Sequence, residues 1–171
     1  MASRSGNHGD KCACSATALR KAARRLSLLY DNALAAARLT VTQFALLTEL
    51  ARRGDDAPTV TELAAAMVME RSGLTHTLRP LQRDGLIALA VHGRDARSRQ
   101  VLLTIRGKAL QQKAAALWAR AQKTFVEVVG IREAARLQDM LLSIAHDERL
   151  GFDGDRVRRK ANTNLRNPVR V

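Results

Sequence analysis

The stretch from Thr59 to Thr104 constrains the fold more than any other part of the chain. It is punctuated by glycine, the residue that most readily interrupts regular structure. Thr59-Val60-Thr61-Glu62 fits a capping box, in which a Thr hydroxyl caps a helix and Glu62 reaches back. A short alanine-rich helix follows, with Leu63 and Met67 inward. The next helix is predicted from about Glu70 to Arg83, with Gly85 ending it. Leu74, Leu78 and Leu81 recur at i, i+4 and i+7, the spacing of a buried side. Ser72, Thr75, His76, Arg79 and Arg83 fall opposite. Pro80 lacks an N–H and collides with the preceding turn, at roughly 3 kcal/mol, so a bend is expected there. Two β-rich runs follow, Leu86 to His92 and Gln100 to Thr104. The loop between them, Gly93 to Arg99, carries Asp95 with Arg94, Arg97 and Arg99. A hairpin tip so charged cannot be buried.

Two short helices, a tight turn and an arginine-tipped hairpin make a winged helix-turn-helix, a device for holding duplex DNA. Short polar groups on the second helix can approach base edges, and its arginines can reach guanine or phosphate. In the wing, Asp95 can pair with Arg97 or Arg99 and stiffen the loop. The arginine left free can enter a minor groove. The bland alternatives are a solvated helix face and surface salt bridges worth about 0–1 kcal/mol.

Helices flank this lobe. The first is predicted from Ser15 or Thr17, either of which can cap it, to near Arg38 and Leu39. Leu19, Ala23, Leu26, Tyr30, Ala33 and Ala37 recur along it at helical spacing. Thr42 is the expected cap of a second helix, with Phe44, Leu47 and Leu50 in its stripe. Arg53 to Pro58 stops it. Beyond the hairpin, a long helix is expected from Arg106 to about Val128. Leu110, Ala114, Leu117, Ala121 and Phe125 form its stripe, and Trp118 borders it. Gly130 breaks it, and a last helix carries Leu137, Met140, Leu141 and Ile144. Apolar residues reach 46% but aromatics only 3%, so the core is built from Leu, Ala and Val. That mixture favours packed helices. The expected class is mainly α, an α+β winged helix.

A formal charge of +13 points to a polyanion, either nucleic acid or a membrane surface. A membrane-surface reading needs a basic amphipathic segment without a reader fold, and no stretch approaches the roughly 18 apolar residues of a membrane span. Double-stranded DNA is therefore the expected partner. The first residues lack an apolar secretion segment, so a cytoplasmic chain is expected. No Ser/His/Asp set, phosphate loop or carboxylate pair is visible, and His8, His76, His92 and His146 have no acid or thiol partner at motif spacing. No enzymatic activity and no cofactor are expected. Cys12 and Cys14 have three readings: inert thiols at a helix start, redox-active thiols, or metal ligands with His8. Their C-x-C spacing is not the C-x-x-C of zinc sites, and no metal is assigned. Tyr30, Trp118 and Phe125 line an effector pocket or belong to the core. The basic end, Arg156 to Arg170, adds non-specific DNA affinity or only solubility.

Three segments carry a resemblance: TVTELAAAM, ERSGLTHTLRPLQRDGLI and RDARSRQVLLTIRGKAL. Over roughly residues 15 to 148 the chain resembles the MarR family of bacterial regulators. The most specific piece is an Asp-x-Arg wing, Asp95-Ala96-Arg97, followed by Leu103-Thr104-Ile105-Arg106-Gly107. The resemblance implies a homodimer built from the N- and C-terminal helices, a pseudo-palindromic operator and, usually, repression. It implies release by a small aromatic ligand or by cysteine oxidation. Carried over by position, Ser72, Thr75, His76 and Arg79 face the major groove, Arg94 and Arg97 serve the wing, and Asp95 orients it. Glu70 stands where the family usually has Asp, and the Cys12/Cys14 pair is not a general family feature.

The expected organisation is a disordered arm over 1–14, a helical dimerisation region over 15–40 and 105–150, a winged helix-turn-helix lobe over 41–104, and a basic tail over 151–171. The expected function is sequence-specific transcriptional regulation. The alternative is a non-specific architectural nucleic-acid-binding protein, which the same fold and charge would serve.

Overall fold

The computed structural model describes residues 14–92 and 95–150, and for 92, 95–98 and 148 it describes the backbone alone. The order is α1 (Ser15–Leu34), α2 (Val41–Arg53), α3 (Val60–Ala66), α4 (Arg71–Arg83), β1 (Ile87–His92), β2 (Asp95–Leu103), α5 (Ile105–Val129) and α6 (Ile131–Ala145). Short 3₁₀ turns follow α1 at Ala35–Ala37 and α6 at Glu148–Leu150. This is the expected mainly α winged helix. The chain divides into two compact units after Val128. Among the described residues, no helix is long and apolar enough to cross a membrane.

Helix ends follow local hydrogen bonding. Neither Ser15 nor Thr17 caps α1; Cys14 holds the cap position and makes no side-chain capping bond. The helix also stops earlier than Arg38, because Arg38 turns left-handed (φ 55°) and Leu39 N–H reaches back to Leu34 O at 3.5 Å. At α2 the cap is Thr40, not Thr42. Thr40 Oγ1 accepts from Gln43 N–H and Gln43 Oε1 accepts from Thr40 N–H, at 3.2 and 3.0 Å. Glutamine three residues on selects Thr40. Asp31 Oδ1 accepts a further free donor, Val41 N–H, at 2.6 Å. At α3 the expected capping box forms: Glu62 Oε2 accepts from Thr59 N–H at 2.7 Å.

The core of the first unit is aliphatic. Leu34, Leu46, Leu47, Leu63, Leu74, Leu81 and Val101 are fully buried, so α1 to α4 and β2 share one interior. Each such side chain contributes about 1.5–3 kcal/mol. Among the described residues no polar or charged residue is buried, so nothing competes with this packing. α2 closes with Glu49 gripping Arg52 and Arg53, both at 2.8 Å. The Arg52 guanidinium, aided by Arg53 and against the opposing effect of burial, holds the Glu49 carboxyl down at about 2.

β1 and β2 pair antiparallel, Ile87 opposite Leu103 and Leu89 opposite Val101. A third segment joins their base. Val101 N–H donates to Pro58 O at 2.8 Å, and Gln100 Nε2 donates to Ala57 O at 3.0 Å. Thr59 forms a bridge with Gln100. Thr104 is not the last strand residue but the cap of α5, accepting from Gly107 N–H at 2.9 Å. Its own N–H donates to Leu86 O at 3.2 Å. Gly107 lies against the same carbonyl: a Cβ built there would stand 2.0 Å from Leu86 O.

Two expectations follow. Gly107→Ala must push α5 off β1, and urea unfolding should show a loss of at least about 2 kcal/mol. Glu49 stabilises the fold above the ordinary glutamate range, and that contribution is lost as pH falls from about 4.5 toward 2. Glu49→Gln should flatten the stability profile across that interval.

Candidate nucleic-acid interface

The turn between α3 and α4 sets how the reading helix is presented. Met69 N–H donates to Ala64 O at 2.9 Å, and Val68 between them is left-handed (φ 50°). That conformation is costly for a β-branched residue, by roughly 1–2 kcal/mol. α4 then starts at Arg71, with Glu70 at the cap position making no side-chain bond. A glutamate is too long to cap as Asp does. The chain stays helical through Pro80 to Arg83, and Leu86 N–H closes the end on Leu81 O at 2.9 Å around left-handed Gly85.

Burial sorts the side chains of α4 as the period predicts. Leu74, Leu78 and Leu81 are buried; Ser72, Thr75, His76, Arg79 and Arg83 are exposed. Thr75 Oγ1 donates to Arg71 O at 2.8 Å, which leaves its lone pairs outward. Arg79 has no carboxylate within 4.0 Å among the described residues. Arg83 differs: its Nε holds Asp84 Oδ1 at 3.0 Å. Gly73 lies beside Ser72 on the first turn and is exposed. A Cβ there would meet nothing within 4 Å, so the fold supplies no reason for glycine.

The wing departs from its expected strand ends. β2 begins at Asp95, not Gln100, so Asp95, Arg97 and Arg99 belong to a strand rather than a loop. Val91 pairs with Arg99 and His92 with Asp95, which forces an irregularity between them. Ladder pairing overrides the weak strand preference of this polar segment. Arg99 is exposed. Arg94 lies outside the described residues, as do the side chains of Asp95 and Arg97 with their expected ion pair.

Of the three candidate pocket residues, two meet. Tyr30 stacks on Trp118 with ring centres 6.1 Å apart, and Phe44, absent from the sequence-based set, stacks on the same ring at 6.3 Å. Tyr30 donates its hydroxyl proton to Gln122 Oε1, and burial pushes its phenol up. Phe125 is half-buried and joins no ring contact among the described residues. Cys14 is exposed, with Sγ 3.3 Å from Thr17 Oγ1. The Thr17 hydroxyl and N–H draw its thiol below the ordinary value. Cys12 and His8 lie outside the described residues.

An exposed polar helix side, seated by a buried leucine row and flanked by a two-stranded wing, defines a winged helix-turn-helix DNA reader. Residues 39–98 match the profile of the MarR family. The chain is similar to the M. tuberculosis transcriptional regulator MosR in complex with DNA, at 32% identity over 91% of this chain and 100% of that one, with a TM-score of 0.69. It is similar to the transcriptional repressor CouR bound to a 23-mer DNA duplex, at 28% identity over 78% and 93% of the two chains, with a TM-score of 0.70. A third similar structure is NadR in complex with 4-hydroxyphenylacetate, at 25% identity over 86% and 100%, with a TM-score of 0.65. No curated protein matches the sequence. The chain belongs to the MarR family of DNA-binding transcriptional regulators.

Gly73 offers a direct check of the interface. Gly73→Ala should raise stability by about 0.5–1 kcal/mol, as at any open helix position. With α4 as the groove-facing helix, it is expected also to weaken DNA binding, since the added methyl projects from the exposed first turn. A higher urea midpoint with unchanged DNA affinity would leave the glycine without a role at the interface.

Proposed function

We propose that the protein is a homodimeric repressor that reads a pseudo-palindromic operator with α4 and the wing. The observation that carries this reading is the exposed, outward row Ser72, His76 and Arg79, in which Arg79 has no carboxylate partner among the described residues. Arg79 and Thr75 supply base-edge contacts, while Arg94, Arg97 and Arg99 hold backbone or minor groove and Asp95 orients them. Arg83 serves phosphate when Asp84 releases it.

Exposed apolar side chains support the dimer. α1 leaves Leu19 and Leu28 in solvent, and α6 leaves Met140, Leu142 and Ile144 there. Apolar rows of that kind mark association surfaces. Residues 15–40 and 105–150 form the dimerisation region in this reading, and 41–104 the reader lobe. Two α4 helices then enter successive major grooves about 10–10.5 bp apart. The dimer works in the cytoplasm, where its DNA is.

Two signals remain in the proposal. A small aromatic ligand is supported by the similar NadR complex with 4-hydroxyphenylacetate. Thiol oxidation is supported by the lowered Cys14 thiol at the start of α1. Either signal acts only by binding, or favouring, one spacing of the reader lobes over another.

The test is fluorescence anisotropy with the gene's own upstream DNA against a scrambled duplex. The regulator binds the first selectively and with steep salt dependence. Arg79→Ala should cost about 1–3 kcal/mol and relax selectivity. Arg94→Ala should weaken both duplexes alike and lower the salt slope by about 1. Equal affinity for both duplexes would instead establish the architectural alternative. Peroxide and 4-hydroxyphenylacetate are then added separately. Peroxide release that disappears in a Cys12→Ser, Cys14→Ser variant assigns the thiol signal, and release by the phenol alone assigns the ligand signal.

A further inference from the structure

α4 ends at a second charged feature. A cleft of about 940 Å³ lies between the turn after α1, the end of α4 and the first turns of α5. That is within the roughly 300–1,000 Å³ range of small-molecule sites. Arg38, Arg83, Arg106 and Lys113 line it against a single carboxylate, Asp84. Arg83 already holds that carboxylate at 3.0 Å. Arg38, Arg106 and Lys113 have no carboxylate within 4.0 Å among the described residues. Between them the wall is apolar: Leu39 and Leu86 are buried and Leu110 is half-buried. Arg38 reaches this rim from a left-handed backbone (φ 55°, ψ 36°), a conformation unfavourable for a side-chain-bearing residue.

Three cations without a carboxylate partner among the described residues, Arg38 from the turn after α1 and Arg106 and Lys113 from α5, repel one another unless an anion sits among them. We propose that this cleft binds a small polyanion of the di- or triphosphate class, with any apolar body of the ligand laid against Leu39, Leu86 and Leu110. Two guanidinium groups and an ammonium match several phosphate oxygens at once. A single carboxylate would leave most of the charge uncompensated. Duplex DNA fits the cleft less well. Reader helices meet base edges through their N-terminal residues, and Arg38, Arg106 and Lys113 lie off α4 beside its last turn, so a phosphate contact by Arg83 would still leave these three without a partner. The polyanion binds where α4 ends and α5 begins, so it biases the seat of the reading helix. That consequence rests on the DNA-reading function proposed above, and coupling between the two sites is reciprocal.

The test is isothermal titration of the full chain with pyrophosphate and with tripolyphosphate at fixed ionic strength, and with benzoate for comparison. Saturable binding at one site per chain is expected for both phosphates. Arg106→Gln/Lys113→Gln should weaken it at least about tenfold, through loss of two charge-assisted contacts. Arg38→Gln should weaken it in the same direction with its thermal melt retained. Neutralising Arg156, Arg158, Arg159 and Lys160 in the basic tail should leave it unchanged. Absence of saturable binding, loss only with the tail variant, or benzoate binding as tightly as pyrophosphate would overturn the proposal. Operator titrations on the same proteins separate the two ideas. Arg79→Ala should lose DNA selectivity and keep pyrophosphate binding. Selective DNA binding without pyrophosphate binding sinks the cleft alone, and the reverse sinks only its regulatory consequence.

Discussion

Thr104 joins three segments at one point. Its N–H donates to Leu86 O at 3.2 Å, its hydroxyl lies 2.8 Å from Gly85 O, and its oxygen receives Gly107 N–H at 2.9 Å. Gly85 ends the reading helix, Leu86 leads into β1, and Gly107 sits in the first turn of α5. One side chain therefore satisfies free backbone groups at a helix start and binds that start to the end of the reader. The arrangement works only because Gly107 has no side chain: its backbone lies where a Cβ would overlap Leu86 O. Displacing this contact would move α5 relative to α4 and strip cover from Leu86 and Ile87, both buried. The rest of the lobe can be packed around the junction, but the junction cannot be replaced by packing, since carbonyls left without donors cost about 1–3 kcal/mol each.

What the sequence made legible was the part governed by short-range rules. The Thr59/Glu62 box, the Leu74, Leu78, Leu81 row and the Gly85 stop all depend on residues within one or two turns. The structure departs from the sequence expectation where two local options compete. Thr40 and Thr42 are both capping residues, and only the Gln43 side chain decides between them. Ala37 continues the apolar period of α1, but the backbone has already left the helix through a 3₁₀ turn and left-handed Arg38. The wing differs from expectation for another reason. A polar segment became strand because Val91 and His92 supply partners across the ladder, which no property of residues 95 to 99 announces. The bridge from Thr59 to Gln100 spans too much chain to be read from either end. In the site, the outward residues of α4 were legible from periodicity, while Phe44 was assigned to the core stripe and its stack on Trp118 could not be seen.

Charge pairing separates positions that stabilise from positions held ready. Glu49 holds Arg52 and Arg53, Glu127 faces Lys123, and Asp147 holds Arg149, each within four residues along the chain. The Lys123 and Arg149 pairs are exposed on the cation side and contribute little, about 0–1 kcal/mol, while the Glu49–Arg53 pair is half-buried; all of them absorb acids that could otherwise reach other cations. In a chain of 29 basic and 16 acidic residues, some cations must go without. Among the described residues, Arg79 on α4 has no acidic partner, and neither do Arg38, Arg106 and Lys113 in the cleft.

α4 itself carries the clearest conflict between stability and use. Gly73 and Pro80 each weaken a helix, by about 1 and about 3 kcal/mol respectively. Glu70 adds no cap, and Val68 before it is strained. Yet the helix persists to Arg83, because Leu74, Leu78 and Leu81 each bury fully or nearly so, at about 1.5–3 kcal/mol apiece. Its stability thus comes from the inward side, and the outward side contributes almost nothing to it. That division frees residues 72, 73, 75, 76 and 79 from any packing duty. A helix held from behind can carry whatever its groove requires in front, including a glycine that the fold alone does not explain.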